Sequence, residues 1–222
     1  MTRQRTRIDP DTRRRQILAA AIDVFRVTPY TDVSLQDLAD AAGVTRGLIH
    51  HYLGSKRDVY IEVIRAITVI PESVPLVPKG APQTFPEVID PCVSLWLDMI
   101  AGFGGLWVDA GSMMEVGDVE ISAILREARA SLVARMIHEV PFPPELDEEL
   151  FSAALNAYAE FARSIAVQWM TDKSITRSQA HVILAETLRQ IATQVVPAAQ
   201  APESVASRDV SPRTPKELPA AG

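Results

Sequence analysis

A single cysteine, Cys92, occurs among 222 residues, which excludes an intramolecular disulfide framework. The first residues, MTRQRTRIDPDTRRR, lack the apolar stretch of a secretory signal, so a cytoplasmic location is expected. Asp98, Asp109 and Arg163 interrupt the greasiest segments, and no uncharged apolar run approaches the roughly 18 residues of a membrane span. Catalytic signatures are missing too: there is no Gly-x-Ser-x-Gly elbow, no phosphate loop after a strand and no His/Glu set at metal-ligand spacing. AGFGG at 101–105 lacks the flanking elements of such a loop, and ELDEEL at 145–150 reads as the charged start of a helix. His50 and His51 would diverge by about 100° on a helix and cannot easily share one metal. These absences argue against an enzyme, a metal or other cofactor, and a membrane partner.

What is present is apolar and helical. A hydrophobic content of 47% suffices for a sizeable core. The net charge of −6 argues against nucleic acid, but its distribution does not: residues 1–70 carry 11 Lys+Arg against 8 Asp+Glu, the remainder 11 against 20. A locally basic surface matters more than the total. Helical periodicity prevails and no alternating run sits between hairpin signals, so the expected class is all-α. Asp9-Pro10 reads as a cap and first-turn proline before the stripe Ile17, Leu18, Ala21, Ile22, Phe25. Ser34 with Asp37 and Ser55 with Asp58 read as capping boxes, and Thr45 caps a short helix between them.

Six prolines, Pro71, Pro75, Pro78, Pro82, Pro86 and Pro91, predict an irregular connector over 71–86. It follows a head at 1–54, with a basic N-terminal arm, and a connecting helix at 55–70. A helical body at 87–196 comes next, with helices at about 87–103, 104–113, 118–140, 144–171 and 176–196. The Pro-rich stretch 197–222 is expected to be a disordered tail.

Around Gly43 the spacing carries more. Leu38, Ala39, Ala42, Gly43, Val44, Ile49 and Tyr52 supply what two short, steeply crossing helices need. Ala39 is the small contact, Gly43 tolerates left-handed geometry, and the others face inward. This is the helix-turn-helix pattern. It leaves Thr45, Arg46, Gly47, Leu48, His50 and His51 near the outer surface. Arg46 can offer two donors to guanine, Leu48 can touch a thymine methyl, and Gly47 lets the backbone approach. Lys56 and Ser34, at helix starts, suit phosphates.

The segment SLQDLADAAGVTRGLIHHYLGSKRDVYIEVI resembles the DNA-binding segment of the tetracycline-repressor (TetR) family of transcriptional regulators, over about residues 12–67. The resemblance implies a recognition helix entering the major groove, a ligand-binding helical domain and a dimer interface on the last two long helices. By position it implies that Thr45, Arg46 and His51 face bases, and that Ser34, His50, Tyr52 and Lys56 face phosphates. His50 stands where the family usually has Tyr and Leu53 where it has Phe. The usual glycine is missing from VTPYTDVS, where Pro29 makes the turn instead.

In the body, Trp96, Met99, Phe103, Trp107, Met113 and Met114 lie among Gly102, Gly104, Gly105, Gly111 and Gly117, which should weaken helix continuity. They are candidates for a pocket that takes a small, largely apolar effector, and each is also an ordinary core residue by type. The last two long helices are apolar on more than one face, which a two-fold homodimer would bury. Phe161, Ile165, Trp169, Leu184, Leu188 and Ile191 are the interface candidates. The expected partners are therefore a palindromic double-stranded operator, an effector and a second copy. The rival reading is a helical protein-interaction module whose helix-turn-helix no longer binds DNA.

Overall fold

The computed structural model describes residues 9–80, 84–115 and 117–201. The arm at 1–8, the tail at 202–222 and the side chain of Met114 lie outside those described. Among the described residues the fold is all-α: α1 (Pro10–Val27), α2 (Leu35–Ala41), α3 (Arg46–Leu53), α4 (Lys56–Thr68), α5 (Ile89–Phe103), α6 (Gly105–Glu115), α7 (Val119–Glu139), α8 (Glu148–Met170), α9 (Arg177–Gln190) and α10 (Val196–Gln200). A π-helical turn, Ile191–Val195, joins the last two. No single helix there is long and apolar enough to cross a membrane.

Local chemistry sets the helix starts. Asp9 caps α1 by accepting from Thr12 N at 3.1 Å, with Pro10 in the first turn. Ser34 and Ser55 form complete capping boxes with Asp37 and Asp58. The Asp carboxylate reaches back to the cap N–H as the longer Glu usually does. Pro29 starts a 3-10 turn, Tyr30–Asp32, in place of the missing glycine. Of the body glycines, Gly104 breaks the α5–α6 run: it adopts φ +56° and the two helices meet at 88°. Gly102 and Gly111 lie within helices.

The C-terminal end differs from the sequence expectation, since helix continues past Pro197 to Gln200. Proline has no N–H to give, and its ring clashes with the carbonyl four residues back in a regular α-helix. The π turn directly before it widens the register, so Pro197 enters as a first-turn residue of α10. Gln200 then ties this end to the start of α8, donating to Glu145 O and accepting from Asp147 N.

Two apolar cores result. One is built from α1–α4 and also takes in Leu106 and Ala110 of α6 and Ile121 and Ile124 of α7. The other joins α5, α7, α8 and α9. In it the buried Tyr158 hydroxyl donates to Leu184 O at 3.0 Å. The connector is strapped to α7: Arg135 donates to the carbonyls of Ile70, Pro71 and Val74, and Glu139 accepts from Leu76 N.

Candidate nucleic-acid interface

Packing of α2 on α3 fixes the outward face. Ala39 is 0% exposed, so the helices approach over a methyl group. Three backbone bonds make the turn: Ala42 N to Leu38 O, Gly43 N to Asp40 O and Val44 N to Ala39 O. Gly43 holds φ +62°, a conformation costly for a residue with a Cβ. Leu38 and Ile49 are buried, Ala42, Val44 and Tyr52 half-buried, and all pack in the head core.

With that face turned in, Thr45, Arg46, Gly47, His50 and His51 are exposed and Leu48 is half-buried. Arg46 makes no hydrogen bond or ion pair with any described residue, so its guanidinium is available to a ligand. A Cβ on Gly47 would meet nothing within 4 Å, which leaves the α3 backbone approachable there. Thr45 Oγ1 accepts from Leu48 N at 3.3 Å, and its cap role orients the hydroxyl. His51 lies edge-on to Tyr52 at 5.1 Å between ring centroids.

Lys56 is placed otherwise than a phosphate ligand would need of its side chain. Its ammonium donates to Tyr30 O at 2.7 Å and Val33 O at 2.6 Å, and sits 4.3 Å from the Tyr30 ring centroid. It therefore pins the start of α4 to the 3-10 turn. What remains for an anion at this helix start is its backbone N–H groups. Ser34 is exposed, with its hydroxyl accepting from Asp37 N.

Sequence reasoning missed the joint between head and body. Arg14 on α1 pairs with Glu62 on α4, and Glu62 with Arg65. Arg65 and Arg57 both reach Glu120 of α7, and Arg57 also grips Asp118, the α7 cap, with two hydrogen bonds at 2.8 and 3.1 Å. Opposite charges alternate along this ladder, which spans α1, α4 and α7. No local spacing signals it, because Arg57 and Asp118 are 61 residues apart.

The Arg57 hydrogen bonds, with a further one from Ile121 N, pull the Asp118 carboxyl down to about 2. A depressed carboxylate stabilises the fold above the ordinary carboxylate pKa of about 3.9 and loses that contribution as pH falls through the folded value. Amide protection at Ile121, whose N–H Asp118 accepts at 3.1 Å, is accordingly expected to hold from pH 7 to about 4. It should then collapse between about 4 and 2. Exchange corrected for intrinsic rates checks this, with Asp118→Asn as the variant that shows no such step.

The pocket candidates divide between the cores. Phe103 and Met113 pack against the head-side core, and Trp96, Met99 and Trp107 against the other. Trp96 and Trp107 meet edge to face at 6.0 Å. Two hollows open elsewhere. One lies between α7 and α8, lined by Ala130, Val133, Ala134, Ile137, Glu148, Glu149, Ser152 and Asn156. The other lies on α9 around Ile175, Val182 and Ile183. Three interface candidates need correction. Ile165, Leu184 and Leu188 are 7%, 1% and 4% exposed, because α8 and α9 bury those stripes in their own chain's core. Trp169 and Ile191 are half-buried, while Phe161 at 37% and Val182 at 59% face outward.

Known proteins resemble this chain in its N-terminal unit and in its fold. Residues 17–63 match the family model described as bacterial regulatory proteins, tetR family. The HTH-type transcriptional activator FasR of Mycolicibacterium smegmatis is 33% identical over 63 residues, 28% of this chain and 29% of FasR. The HTH-type transcriptional regulator BetI of Agrobacterium fabrum is 36% identical over 55 residues, 25% of this chain and 27% of BetI. The chain thus matches less than a third of the length of either curated relative. In fold it is similar to a tetR-family transcriptional regulator from Streptomyces coelicolor, with a TM-score of 0.63 at 19% identity over 85% of this chain and 86% of that one. In its N-terminal unit, residues 17–63, the chain is thus similar to the tetR family of bacterial regulatory proteins.

Proposed function

We propose that this chain is a ligand-responsive transcriptional regulator that binds a palindromic operator as a homodimer and acts as a repressor, released by a small, largely apolar effector. The observation that carries the reading is the outward face of α3. An unpaired Arg46 beside the uncovered Gly47 backbone stands on a helix whose opposite side is locked into the head core. Arg46 reads guanine and Leu48, with His51, flanks it, while the helix starts at Ser34 and Lys56 offer N–H groups to phosphates. Two copies joined through the outward faces of α8 and α9, around Phe161 and Val182, would set two such helices about 34–36 Å apart in successive major grooves. The effector site belongs to the body, with the half-buried Trp96, Met99 and Trp107 as its apolar wall.

Titrating a duplex from the promoter beside the coding region tests this directly. Arg46→Ala is expected to weaken binding by about 1–3 kcal/mol and to relax preference at one base position in each half-site. An unchanged affinity removes Arg46 from the interface, and absence of any duplex binding by the parent overturns the regulator reading.

A further inference from the structure

Helix α4 is gripped from outside by the ion ladder, but its inner side is incompletely satisfied. Tyr60 is 1% exposed, with Phe25 edge-on at 5.0 Å and Tyr30 at 4.6 Å. Its hydroxyl is buried and has no hydrogen-bond partner among the described residues. Buried polar groups in native proteins are nearly always paired, so an orphan donor in a packed joint calls for an explanation. Across from it, α6 packs against α4 and carries Asp109, a half-buried carboxyl that makes no hydrogen bond or ion pair with any described residue. Burial pushes both the Tyr60 phenol and the Asp109 carboxyl up, and the Asp109 charge pushes the phenol a little further, so each group feels the low-dielectric joint. A donor without an acceptor and an acceptor without a donor therefore sit on facing helices that link head and body.

We propose that Tyr60 and Asp109 are two halves of a latch between α4 and α6, open in this structure and closed in a second arrangement where the Tyr60 hydroxyl donates to the Asp109 carboxyl. Closing needs a shift of α6 relative to α4. The fold permits one, since α6 is separated from α5 by the sharp corner at Gly104. Because α4 also carries Lys56, which anchors the 3-10 turn ahead of α2, movement of α4 reaches the helix-turn-helix. The latch thus couples the body's state to the spacing of the α3 face. It deepens the regulator reading and, in its DNA-linked part, rests on it.

Two measurements test the latch. In thermal melting of the full chain, Tyr60→Phe removes an orphan hydroxyl and should melt at or above the parent. A hydroxyl already bonded, for instance through a fixed water to Asp109, would lower the melting point by about 2–4 °C, and any such drop overturns the proposal. In duplex titrations, Tyr60→Phe and Asp109→Leu should shift the operator Kd in the same direction by about fivefold or more. The double variant should shift it no further, and Asp109→Asn, which keeps an acceptor oxygen, should stay near the parent. Additive, opposite or absent shifts overturn it. A parent that binds no duplex sinks the regulator reading alone, and the melting result then decides the latch.

Discussion

Ala39→Leu is expected to leave a helical protein that has lost operator binding by more than about a hundredfold. The side chain at position 39 is wholly enclosed where α2 meets α3, and the carbonyl of the same residue accepts Val44 N at 2.9 Å in the turn. Three added carbons have no space, and overpacking of this kind costs about 1–3 kcal/mol. The chain can relieve the clash only by moving α3 away from α2. That displaces Arg46 and its neighbours together, and losing two contacts worth about 1–3 kcal/mol each accounts for the hundredfold. Circular dichroism near the parent's, together with lost duplex binding, is the expected pair of results. Retained affinity would show that α3 does not depend on this close approach.

The second large effect is expected at Phe25→Ala. Phe25 is 2% exposed and touches both other rings of the Phe25–Tyr30–Tyr60 cluster. Truncating a buried phenylalanine costs about 3–5 kcal/mol. Against a total stability of about 5–15 kcal/mol, and with about 2–4 °C per kcal/mol at this chain length, the melting temperature should fall by roughly 6–20 °C. The same core contains Leu106, Ala110, Ile121 and Ile124, so the tryptophans of α5 and α6 should report the loss as fully as α1 does. A melt in which tryptophan fluorescence keeps the parent midpoint while helix content falls early would show that the head unfolds alone.

Much of this was legible in the sequence because the signals are local. Ser34 and Asp37, Ser55 and Asp58, and Asp9 and Pro10 each state a helix start within four residues, and Gly43 states the turn by needing a positive φ. Periodicity fixed the stripes Ile17–Ala21–Phe25 and Leu184–Leu188, but a stripe does not say what covers it. Leu184 and Leu188 read equally as a surface for a second copy, and α5 and α8 cover them instead. Lys56 reads as an anion ligand from its place at a helix start. Only the folded position of Tyr30 and Val33, more than twenty residues earlier, turns its ammonium inward. The ladder from Arg14 to Asp118 and the strap from Arg135 to the connector are likewise non-local, and pair spacing in the chain carries no trace of them. The helical course of Pro197 depended on a π turn for which the sequence offers no local mark.

Leu106, Ala110, Ile121 and Ile124 belong to the same core as α1–α4, so the N-terminal unit does not end at its own surface. Transplanting residues 1–70 onto an unrelated scaffold would remove the packing of α4 against α6 and α7 and leave Arg57 without Asp118 and Glu120. A functional graft would have to carry matching surfaces for α6 and the first turn of α7. If the proposed function holds, DNA specificity is therefore better altered at the solvent side of α3 than by exchanging whole modules.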